Sequence, residues 1–215
     1  MTASVVFWRH GQTDYNAQGR LQGQVDIPLN DTGRAQAAAA APTLAQVQPV
    51  QIVSSDLARA RDTAQELEDR TAVAVSTDER LRERAFGDWE GLTHEQIEAG
   101  WPQTFQHWRA GGHPEGIGAE LRAEVGRRVA EVATEVAAGH PEGTAVVLVA
   151  HGAAISAGLV TLLGHSPDAW HGVTGVGNCH WSVLRPNPGT DPAWRLSAHN
   201  VGAPAVDFPQ GARIV

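Results

Sequence analysis

Short apolar runs alternate along the chain with longer stretches in which apolar residues recur every three or four positions. Residues 5–8 (Val-Val-Phe-Trp), 51–54, 73–75 and 146–149 are too short for helices and rich in β-branched residues, which predicts buried strands. Two later strands are predicted at 179–184 and 194–198. Helical spacing runs over 58–70, where Ala60, Ala64 and Leu67 share a face, over 121–138, closed by Gly139 and Pro141, and over 153–163. The alanine-rich stretch from Asn30 or Asp31 to about residue 47 reads as helix, since alanine has the highest helix propensity and a capping residue precedes it. Pro42 inside it is expected to kink or split that helix. Short helices are predicted at 93–99 and 104–108, in a segment rich in Gly, Pro and Trp. This alternation predicts the α/β class: a three-layer α/β/α sandwich around a mainly parallel central sheet. No repeat or linker divides the chain, so residues 1–215 are expected to form one domain, with about 200–215 a less ordered tail.

Composition narrows the function more than the fold. A chain of 215 residues, 42% hydrophobic and 19% charged, is ordinary for a globular domain and long enough to bury its own core. Cys179 is the only cysteine, which excludes an internal disulfide and a multi-cysteine metal site. No leader-like segment opens the sequence, and its longest apolar stretch, 144–150, is too short for a bilayer, so a cytoplasmic protein with no membrane partner is expected. The net charge of −8 argues against a nucleic-acid partner. It leaves small anions open, because a few arginines converging in one cleft outweigh net charge locally.

Four segments carry candidate chemistry. His10 and His151 each follow an apolar strand and precede a glycine, so both lie at the carboxyl end of a buried strand. In parallel sheets such ends border ligand sites. Arg9 stands beside the first histidine. Arg59 falls in the first turn of the helix after the strand at 51–54, aimed at the same end of the sheet, while Arg61 is expected to lie off that face. Glu83 lies between Arg82 and Arg84 in a glycine-bounded loop within the segment Leu81 to Gly91, and Trp89 is expected to pack that loop down.

Arg9-His10-Gly11-Gln12-Thr13, followed by Asn16 and Leu21-Gln22-Gly23, resembles the signature of the histidine phosphatase superfamily, the phosphoglycerate mutase-like enzymes. The resemblance continues in order through Ser54 to Ala64, Arg82-Glu83 and Ala150-His151-Gly152, covering almost the whole chain. It implies a phosphoglycerate mutase-like fold and a phosphohistidine intermediate on His10. Arg9, Arg59 and His151 would surround the phosphoryl oxygens with Asn16, Gln22, Gly23 and Gly152. Thr13 would add a weaker contact, and Glu83 would be the general acid. It implies no cofactor and no metal, a small-molecule phosphomonoester as partner, and a homodimer. Mutases of the family carry a longer, basic insertion after the acidic loop. Here 101–118 is short and holds only Arg109 as a fixed cation, which favours a phosphatase.

Within the phosphatases, Asp14-Tyr15-Asn16, residues 53–57, residues 87–94 and residues 175–178 are similar to the actinobacterial glucosyl-3-phosphoglycerate phosphatase family. Arg84-Ala85 stands where that family has a small polar residue and a histidine, and Gly118-Ala119-Glu120-Leu121 where relatives have Gly-Gly-Glu-Ser. A broad-specificity or α-ribazole-type phosphatase, a mutase, or an inactive binding module are the alternatives. Trp101, Trp108, Trp170, Trp181 and Trp194 are read first as packing residues, with a tryptophan in 101–113 a candidate to face a sugar.

Overall fold

The computed structural model describes residues 2–203. At its centre β1 (Ser4–Arg9) lies parallel to β4 (Ala145–Ala150), and β4 is parallel in turn to β2 (Gln51–Ser54). β3 (Val75–Thr77) closes that side in parallel. On the other side β5 (Trp181–Pro186) runs antiparallel to β1, and β6 (Trp194–Val201) antiparallel to β5. The order is β3-β2-β4-β1-β5-β6, a parallel core with an antiparallel pair added at one side.

Side chains alternate between the faces of a strand, and the core divides accordingly. Val5, Phe7, Val146, Leu148 and Ala150 pack beneath α6 (Arg122–Ala138) and α7 (Gly152–Leu162). Val6, Trp8, Ile52, Val147 and Val149 pack beneath α2 (Asp31–Ala45) and α3 (Ala58–Thr71). α6 offers Val125, Val129, Val132 and Ala137 at helical spacing, and α2 its buried alanines 37, 40 and 41. Among the described residues no helix is long and apolar enough to cross a membrane.

Pro42 does not split α2, which is continuous through it. The carbonyl of Ala38, four residues earlier, loses its helical donor to the proline, and Arg70 of α3 donates to it at 3.4 Å. β3 begins two residues later than its apolar run suggests, because its pairing with β2 starts at Ile52 and Val75. β5 starts at Trp181 because Cys179 is a turn residue at φ +56, its N–H donating to the carbonyls of Arg9 and His10. β6 extends to Val201, into the segment expected to be a tail, and 204–215 lie outside the described residues.

Two further helices, α4 (His94–Gly100) and α5 (Pro102–Arg109), build a satellite core over the loop that carries Glu83. Trp89 is fully buried there among Phe86, Ile97, Phe105 and Ile117, with Trp108 edge-on at 5.6 Å between ring centroids. The loop is thus packed down by Trp89. One short helix had no hydrophobic signal at all: α1 (Asp14–Ala17), which buries none of its residues and is held by the capping box of Thr13 and Asn16.

Candidate active site

The register of β1 on β4 pairs Arg9 with Ala150, so the next residues, His10 and His151, leave the sheet side by side. Their ring centroids are 5.1 Å apart, close to the spacing of the strands that carry them. Ser55 follows β2 in the same row, its N–H bonded to the Val149 carbonyl. Gly11 and Gly33 allow the chain after His10 to lie directly on the first turn of α2. A Cβ on Gly33 would stand 2.0 Å from the Gln12 carbonyl oxygen, and one on Gly11 would stand 2.4 Å from that of Gly33.

A cleft of about 110 Å³ opens over this end of the sheet, lined by Arg9, His10, Asn16, Gln22, Gly23, Arg59 and Glu83, with Arg20, Leu21 and Phe86 at its edge. The His10 ring is buried, and its Nδ1 lies 2.7 Å from the Gly11 carbonyl oxygen. A carbonyl only accepts, so Nδ1 carries the proton and Nε2 keeps its lone pair. Arg59 is fully buried: Nε–H donates to His151 Nδ1 at 3.1 Å, Nη1 to the Val25 carbonyl and Nη2 to that of Gly23, both at 2.8 Å. Each terminal nitrogen retains a second N–H. Because Arg59 donates to Nδ1 of His151, that ring is protonated on Nε2, which donates to Ser55 Oγ at 2.9 Å.

Arg9 donates to the Val176 carbonyl at 2.6 Å, while its buried Nε has no partner among the described residues. Burial of the guanidinium lowers its pKa, and that of Arg59 is lowered to about 10, also chiefly by burial. Gly152 lies against Arg9: a Cβ there would sit 3.4 Å from the guanidinium carbon, in ordinary van der Waals contact.

Glu83 is held by backbone donors. Oε1 accepts from the N–H of Arg84 at 2.8 Å and of Ala154 at 2.9 Å, and Oε2 accepts from Ala153 at 3.2 Å. The last two belong to the first turn of α7, the helix that begins just after His151. Arg128 of α6 fixes the loop behind it by donating to the carbonyls of Arg80, Arg82 and Glu83, with Glu120 as its bidentate counter-ion.

The structure therefore brings seven of the ten sequence-derived site residues to the walls of one cleft. His151 and Gly152 stand behind it, against Arg59 and Arg9. Thr13 is fully buried below it, donating to Gln22 Oε1 at 2.9 Å and accepting the Asn16 N–H, so it orients two cleft residues instead of facing the cleft itself. Arg61 is exposed. Ser55, just after the strand at 51–54, and Arg20, between Gly19 and Gly23, carried signals the sequence reading did not use; Arg128, inside α6, has no strand-end or glycine signal, and only tertiary packing brings it in. No three His, Cys, Asp or Glu side chains among the described residues gather as a metal site.

Burial and then the charges of Arg59 and Arg9 hold His10 well below its ordinary pKa of 6.5. Burial, then Arg59, does the same for His151. As pH falls below about 6.5 the unfolded chain takes up protons that the folded protein refuses, so stability declines and is regained as pH rises. The slope approaches about 1.4 kcal/mol per pH unit for each ring only well below pH 6.5, so the expected loss between pH 7.5 and 5.5 is about 1.4 kcal/mol per ring. Urea melts at pH 7.5 and 5.5 measure it, and equal stability at both would show that the rings accept protons in the folded state.

Residues 5–201 match the histidine phosphatase superfamily (branch 1). A glucosyl-3-phosphoglycerate phosphatase of Mycobacterium tuberculosis is 44% identical over 211 residues, 93% of this chain and 95% of the relative. One from Mycolicibacterium vanbaalenii is 43% identical over 213 residues, with the same coverage. The structure of a mycobacterial glucosyl-3-phosphoglycerate phosphatase in complex with VO3 superposes with a TM-score of 0.84 at 42% identity, covering 93% of this chain and 100% of that one.

Proposed function

The chain belongs to the histidine phosphatase superfamily, and from that membership we propose that it hydrolyses glucosyl-3-phosphoglycerate to glucosylglycerate and phosphate through a phosphohistidine at His10. The observation that carries the chemistry is a neutral His10, its Nε2 lone pair free, in a cleft with two buried guanidiniums and one carboxyl group. Phosphoryl transfer asks a protein mainly for positioning and for stabilisation of charge on the equatorial oxygens. Arg9, with its unpartnered Nε, and Arg59, with its spare N–H groups, supply that charge from the chain itself.

In the first step His10 Nε2 forms a bond to phosphorus as the ester oxygen leaves and takes the proton of Glu83. In the second, water attacks the phosphohistidine and gives its proton to Glu83, while the phosphorus–nitrogen bond breaks to release phosphate and restore His10. His151 holds Arg59 in the orientation these steps need, and Thr13 does so for Asn16 and Gln22. The reading carries with it a cytoplasmic protein acting as a homodimer, which light scattering of the purified chain tests.

The substrate rests on likeness to the mycobacterial enzymes over 93% of the chain. Phosphate release from glucosyl-3-phosphoglycerate, 3-phosphoglycerate, mannosyl-3-phosphoglycerate, α-ribazole phosphate and p-nitrophenyl phosphate tests it. The expected result is a kcat/KM for glucosyl-3-phosphoglycerate at least about 100-fold above the others, as binding of the remote sugar and carboxylate is used in the transition state. Similar modest rates on all five would reduce the function to a general phosphatase.

A further inference from the structure

Beside the phosphoryl cleft lies a larger cavity of about 260 Å³, whose walls include Arg84, Arg122, Phe86, Trp108, Trp170 and Ala153. Phe86 also borders the cleft, and the N–H of Ala153 donates to Glu83 Oε2, so the proton-donating group stands between the two spaces. On the reading above, the group that leaves with Glu83's proton extends into this cavity.

Two cations meet there without a counter-ion. Arg84 is buried, donating Nε–H to the Glu120 carbonyl at 2.8 Å and Nη2–H to His113 Nδ1 at 3.3 Å. Arg122 donates to the Gly111 carbonyl at 3.1 Å and toward His171 Nδ1 at 3.4 Å. Neither guanidinium forms an ion pair with a carboxylate among the described residues. The carboxylate of Glu120 is taken by Arg128 and those of Glu83 by backbone N–H groups. Glu83, Asp168 and Glu120 act on Arg84 only through space, and its pKa is lowered to about 10 by burial and then by Arg122. A buried guanidinium facing a second one is costly unless an anion joins them. A phosphate is already provided for in the cleft, which leaves a second, smaller anion on the same substrate. The planar fork of Arg suits a carboxylate, and the rings of Trp108 and Trp170 offer flat apolar walls to the rest of the molecule.

We propose that this cavity receives the leaving alcohol and that Arg84 and Arg122 together bind a carboxylate on it. The pair thereby selects esters of hydroxy acids over esters of neutral alcohols. This rests on the phosphoryl-cleft reading and names what the neighbouring space recognises.

The test compares esters that differ only in the carboxylate: glucosyl-3-phosphoglycerate against glucosylglycerol 3-phosphate, and 3-phosphoglycerate against glycerol 3-phosphate. The parent enzyme is expected to favour the carboxylated member of each pair by about 30-fold or more in kcat/KM. Arg122→Gln, on the partly exposed first residue of α6, is expected to reduce that ratio to within about threefold. Arg84→Gln should act likewise if the variant folds. Calorimetry of glucosylglycerate against glucosylglycerol reads the same preference with no turnover, so it remains decisive even if glucosyl-3-phosphoglycerate proves not to be the substrate. A parent enzyme indifferent to the carboxylate in both turnover and binding, or an Arg122→Gln variant that keeps the full ratio, overturns the proposal. The phosphatase reading survives either result so long as phosphate is released.

Discussion

Replacing His10 by alanine is expected to reduce phosphate release by about 10⁵-fold, since no other group in the cleft offers phosphorus a free imidazole lone pair. His151 does not substitute for it. One of its nitrogens accepts from Arg59 and the other donates to Ser55. The variant should still fold, because the backbone bonds of residue 10, to the Ala150 carbonyl and from Asn178, do not involve the ring. A rapid alkaline-quench experiment with labelled substrate provides the second readout. The parent is expected to yield an acid-labile, base-stable phosphoprotein, and His10→Ala none. Near-normal turnover by the variant would remove His10 from the nucleophile's role.

The second large effect concerns Glu83→Gln, and here the outcome depends on the leaving group. A sugar-acid alkoxide leaves poorly without a proton, so kcat/KM for glucosyl-3-phosphoglycerate is expected to fall by about 10³-fold. p-Nitrophenolate leaves without help, so its first step should slow by less than about tenfold. Hydrolysis of the phosphohistidine still needs a base. The variant should therefore release one equivalent of p-nitrophenolate in a burst and then stall with His10 phosphorylated. Glutamine can accept the Ala154 and Arg84 N–H groups through its oxygen and loses only the longer bond from Ala153, so two of the three donors still hold the loop. Equal losses on both substrates, with no burst, would assign the proton elsewhere.

What the sequence disclosed and what it withheld follow one division. His10, His151 and Arg59 were legible because each sits at or just after a strand end, and strand ends are set by local apolar runs. Glu83 was legible through its glycine-bounded loop. Arg84 and Arg122 were not paired by any reading of the sequence. They stand on different segments, one in the acidic loop and one on α6, and meet only when α6 packs beside that loop. Arg128 was hidden for the same reason, as a mid-helix arginine whose partners are three carbonyls far away in sequence. Among the elements, Pro42 misled because its effect on α2 is answered by Arg70 from a neighbouring helix. The limits of β3 and β5 depended on pairing register and on a left-handed turn at Cys179, and neither is encoded in hydrophobicity.

The bonds from Ala153 and Ala154 to Glu83 have a spectroscopic consequence. An amide proton that points at a carboxyl oxygen changes its resonance frequency when that oxygen gains or loses charge. With selectively ¹⁵N-labelled alanine, the peaks of Ala153 and Ala154 become an internal gauge of where the proton resides at rest, with phosphate bound, and in a stalled covalent state. Because both amides lie at the start of α7, the same two peaks would also register any slackening of that helix when the carboxyl group lets go.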